Sequence, residues 1–184
     1  MAECINYNCD ELPEYEQTIA ECAAYIRNAG ASVFGLLECG SEILDPSDAV
    51  EVQALIDAGT LTMIPNVKFG FNDPAEITTP STTSCGTPKI TNYTQSATAE
   101  DYKVTIDNTT FWNTAKKRSF AGLLIFQCET NGLTPLVTFV DAEISVSAFK
   151  KSSNTSDEPQ FYQIGFSWKD IDIPLDYTAP VVTY

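Results

Sequence analysis

Residues 160–173, QFYQIGFSWKDIDI, set Tyr162, Ile164, Phe166 and Trp168 in strict alternation with Gln163, Gly165, Ser167 and Lys169. A two-residue period puts the first four side chains on one face of a strand and the others on the opposite face. Aromatic and β-branched side chains favour such a pleated, half-buried surface. The stretch therefore predicts a strand lining the core of an antiparallel sheet. AEISVSAF, residues 142–149, repeats the pattern with Ile144, Val146 and Ala148, and the polar KSSNTSDEP, residues 151–159, separates the two. Further upstream, Asn131-Gly132 stands between the runs GLLIFQ and LVTFV, a strong hairpin signal.

The helical candidate of this half is DNTTFWNTAKKRSF, residues 107–120, with Asp107 to Thr110 as caps and Phe111, Trp112 and Ala115 as an apolar stripe. Lys116, Lys117 and Arg118 form the one basic cluster of the chain, and its place suits the negative end of a helix dipole better than a nucleic-acid patch. In KITNYTQSATAEDYKVTID, residues 89–107, two strand-like stretches are expected, the second carried by Tyr102, Val104 and Ile106. Residues 73–88, DPAEITTPSTTSCGTP, read as a long surface loop of the kind ordered by a partner. LTMIPNVKFGF, residues 61–71, reads as an edge strand or two short pieces, because Pro65 lacks a ladder donor.

Before residue 61 the period is helical. Ile19, Cys22, Ala23 and Ile26 line one side of a helix over residues 13–29, opened by Pro13 and closed by Gly30. Over residues 47–58, Ala49, Val52, Leu55 and Ile56 line a second, with Ser47 as N-cap and Gly59 at its close. Between them, ASVFGLLECG, residues 31–40, predicts a short buried strand. The fold class expected is mainly β (α+β). It comprises an antiparallel β-sandwich or barrel with one flanking helix, preceded by two amino-terminal helices. Residues 1–60 form an acidic segment packing on the core or on a neighbour, and residues 61–184 the β domain.

The 184 residues suit one domain with a substantial core. Ten Phe, eight Tyr and two Trp exclude a disordered polymer, and no apolar run approaches the roughly 18 residues of a membrane span. The start, MAECINYNCDELPEYE, is acidic and polar and unlike a secretory signal, so a soluble protein made in the cytoplasm is expected. Net charge is −15, and residues 1–60 carry 12 acids against Arg27 alone. Such a surface repels phosphate and argues against sequence-specific nucleic-acid binding.

The chain has no histidine, which removes the commonest general base and the commonest zinc ligand. Two carboxylate pairs, Asp141/Glu143 and Asp170/Asp172, are spaced to share a strand face. Solvated strand faces look the same, and no residue cluster argues for catalysis, a cofactor or a metal. Cys22 and Cys128 sit in apolar patterns, whereas Cys4, Cys9 and Cys39 are candidates for cross-linking a particle in an oxidising medium. The sequons at Asn92, Asn108 and Asn154 read as chance matches in a Thr-rich chain.

Three segments carry a family resemblance. LDPSDAVEVQALIDAGTLTMIPNVKFG (44–70) resembles an amino-terminal segment of tailed-bacteriophage structural proteins. DNTTFWNTAKKR (107–118) resembles the single helix between their strands. VDAEISVSAF (140–149) followed by QFYQIGFSWKDIDIPLDY (160–177) resembles a closing hairpin. The similarity is to virion structural proteins, tail tube proteins in particular, and implies a non-enzymatic, self-assembling subunit located in the virion and assembled in the host cytoplasm. Its implied partners are further copies in a ring, commonly a hexamer, and other virion proteins, with DNA passing a lumen and no membrane. The cysteine-rich start and the helices at 13–29 and 47–58 depart from a minimal tube protein and keep a capsid decoration, head–neck or adhesion protein as the alternative.

Overall fold

A computed structural model describes residues 31–79, 89–127, 135–151, 160–170, 172 and 174–183. The helix expected over 13–29, the Asn131-Gly132 turn, and Cys4, Cys9, Cys22, Cys85 and Cys128 lie outside the described residues, as does the Asn154 sequon.

The chain runs through β1 (Ala31–Leu37), α1 (Ala49–Asp57), β2 (Leu61–Phe71), β3 (Ala75–Thr79) and β4 (Lys89–Asp101). Then follow α2 (Ile106–Ala115), β5 (Ser119–Phe120), β6 (Gly122–Gln127), β7 (Leu136–Val140), β8 (Ile144–Lys151), β9 (Phe161–Asp170) and β10 (Leu175–Thr178). The fold is mainly β, with every strand pair antiparallel. The order β10-β7-β6-β1-β2-β4-β9-β8-β5 curls on itself, since only Ala121 separates β5 from β6. There the Ala121 amide donates to the Leu37 carbonyl at 2.8 Å.

The alternating face of β9 lies inward. Tyr162, Ile164, Phe166 and Trp168 join Ile144, Val146 and Ala148 of β8 and Phe111, Trp112 and Ala115 of α2 in one core. Burial of such side chains contributes about 1.5–3 kcal/mol each. A second core covers the other face of β1, β2, β6 and β7, where Val33, Leu37, Met63, Leu124 and Phe139 pack under Val52 of α1. β1 is apolar on both faces because both are covered, which makes it the central strand between β2 and β6. The sheet thus includes a strand before residue 61, β1, drawn from the acidic segment.

Four local expectations are corrected. β2 is one continuous strand and not two pieces, paired to both β1 and β4 only from Val67 on, and among the described strands paired to β1 alone over Leu61–Ile64. Its Pro65 is tolerated in a bulge, where residues 65–66 lie opposite Val33. The loop at 73–88 gives way to β3 over Ala75–Thr79, paired along the start of β4 from Ala75↔Thr94 to Thr79↔Lys89, and residues 80–88 fall outside the described part. Residues 102–105 are a connector and not a strand. Thr105 is extended and accepts the Asn108 amide at 3.2 Å, so it caps α2 in place of Asp107. In α1 the cap is Asp48 and not Ser47, with its carboxylate accepting the Val50 amide at 2.9 Å. Glu51 reaches back to the amides of Leu44 and Asp45 at 2.8 and 3.0 Å.

Candidate functional site

The acidic pairs lie at connections or a strand end and not within strands. Asp141 and Glu143 sit in the corner between β7 and β8, with Asp141 exposed and Glu143 half-buried. Asp170 ends β9 and its carboxylate accepts the amide of the exposed Asp172 at 3.1 Å, so the second pair closes a turn. Among the described residues no group of three or more Cys, Asp or Glu side chains is placed to hold a metal ion.

Two buried polar residues, Asp101 and Asn108, hold the ends of β4 and α2 together. Asp101 accepts the indole N–H of Trp112 at 2.9 Å and the Lys103 amide at 2.8 Å. Asn108 is buried and donates to the Lys103 carbonyl at 3.1 Å, which accounts for its place in a sequon without invoking a glycan. Cys39 is disulfide-bonded, so its thiol is not a spare cross-linking group.

Two surfaces remain without an internal role. The first is an open sheet edge. β8 pairs with β9 from Ser145 to Lys151, but on its other side only Ile144 and Ser145 meet β5. Residues 146–151 therefore present backbone groups to no described strand, and Phe149 among them is 67% exposed. Leu175 of β10, the last strand in the order of the described sheet, is 65% exposed. Edges of this kind are templates for pairing with another chain.

The second is a cleft of about 720 Å³ where α2 ends above β5, β8 and β9. Lys116, Lys117, Arg118 and Lys169 line it, four of the ten cationic side chains of the molecule. The cluster lies just past the helix, with Lys116 as the C-cap residue, and no basic residue falls in the last turn. Lys116 Nζ donates to Asn113 at 2.8 Å and Arg118 Nη1 pairs with Glu38 at 3.3 Å. Beneath the cations, Ser119 stands opposite Ser145 and Ser145 opposite Ser167, a row of hydroxyls across three strands. No sequence signal beyond the basic triplet pointed to this cleft, because its walls meet only through strand order.

No protein-family model and no curated protein matches the chain. Among solved structures it is similar to one described as the crystal structure of Hcp protein, at 13% identity and a TM-score of 0.32, with 80% of this chain and 98% of that chain covered. At that TM-score the likeness carries no inference about function.

Proposed function

We propose that the chain is a non-enzymatic structural subunit of a tailed-phage virion, a tail tube protein whose protomers close into rings and stack around a lumen that DNA traverses. The open β8 edge, with Phe149 exposed beside it, carries the reading. A second chain docked there would pair backbone groups of residues 146–151 that meet no described strand and remove a large apolar side chain from water. The acidic balance fits a conduit, since an anionic wall releases no counterions against phosphate and does not hold DNA. The other implied features, assembly in the host cytoplasm and contacts with other virion proteins, come with this reading.

Sedimentation velocity of the full chain against Phe149→Glu tests it. The native chain should sediment as a ring-sized species and the variant as a folded monomer. Identical sedimentation of the two would remove the β8 edge from the interface.

A further inference from the structure

We propose that the cleft under α2 is a binding site for a phosphate-bearing small molecule. On a protein of net charge −15, four cations converge on one concavity, with Glu143 as the one carboxylate among its lining residues. Lys117 and Lys169 are exposed, and neither is in an ion pair with a described residue. Local charge of this sign, on a chain that otherwise repels anions, is the electrostatic condition for capturing one.

Two buried donors support the assignment. Arg118 Nε and Trp168 Nε1 are both shielded from solvent and have no hydrogen-bond acceptor, and both belong to residues lining the cleft. Buried N–H groups are satisfied in nearly all folded proteins, by protein or by water, and an acceptor seated in the cleft that both residues line would satisfy these two. A phosphate supplies three acceptor oxygens and about −1.5 to −2 charges at neutral pH. That charge suits the excess of cations better than a single carboxylate does. The hydroxyls of Ser145 and Ser167 extend the donor set along the floor. The volume falls within the range of about 300–1,000 Å³ typical of small-ligand pockets. A peptide partner is disfavoured because the lining offers few apolar anchors beyond Val146 and the edge of Trp168.

The site is independent of ring assembly and is tested on the full chain with pyrophosphate as the probe. Calorimetry should show saturable binding that weakens at least tenfold in Lys117→Gln/Lys169→Gln, two exposed substitutions that leave the core untouched. In a ¹H–¹⁵N spectrum the indole signal of Trp168 should shift on titration, whereas that of Trp112, fixed on Asp101, should not. Absence of saturable binding at millimolar pyrophosphate overturns the proposal, and so does equal affinity in the double variant. Saturable binding of a peptide of residues 1–16, with pyrophosphate inert, would also overturn it and assign the cleft to the acidic segment of a second copy.

Discussion

The indole N–H of Trp112, on α2, donates to the carboxylate of Asp101, the last residue of β4, at 2.9 Å, with both residues almost wholly buried. This contact joins the flanking helix to β4, the longest described strand of the sheet. Asp101→Ala would strand the indole N–H in the core and should cost about 1–3 kcal/mol, read by chemical denaturation. Asp101→Asn, which keeps an acceptor oxygen, should cost less. Equal losses for the two would show that the acceptor is not what matters.

Trp168 anchors the other end of the same core, with 2% exposure and its ring edge-on to Phe71 at 6.3 Å. Trp168→Ala should destabilise the fold by about 3–5 kcal/mol, enough to remove most of a typical domain's stability. Unchanged thermal stability would mean that this face does not line the core.

Gly122 opens β6 where a Cβ would lie 2.9 Å from Phe139 Cε2 and 3.1 Å from the Val140 carbonyl oxygen. The second neighbour is backbone and cannot swing aside. Gly122→Ala should therefore cost about 1–3 kcal/mol. Gly70→Ala, with nothing within 4 Å, is the matched control.

Asp45 accepts hydrogen bonds from the Ser47 hydroxyl at 2.6 Å and the Ser47 amide at 2.9 Å, and these hold its carboxyl below the usual range. A depressed carboxylate stabilises the fold above its unfolded value, and that contribution is lost as pH falls through the folded one. Ser47→Ala removes the hydroxyl, the larger cause, so an NMR titration should find the Asp45 midpoint raised. An unmoved midpoint would assign the depression to something other than Ser47.

Strands that are apolar on one face were legible in the sequence, because alternation is a local property. Tyr162 to Trp168 and Ile144 to Ala148 lie inward as their spacing requires. The stripe of α1 was legible for the same reason, with Val52 fully buried. The same rule misread Tyr102, Val104 and Ile106, whose alternation is incidental to a connector ending in the Thr105 cap. Pro65 was read rightly as a residue that cannot sit between two partners, since it falls in a bulge where no described strand pairs on the β4 side, but it does not split β2 in two. The cleft was beyond local reading. Lys116 to Arg118, Ser145 and Lys169 are far apart in the chain and meet only because β5 and β9 flank β8.

Negative-stain microscopy of the purified full chain, across a concentration series, measures the central claim directly. The account predicts closed rings of uniform diameter that stack into short tubes as concentration rises. Monodisperse monomers at every concentration, with the chain folded, would contradict it.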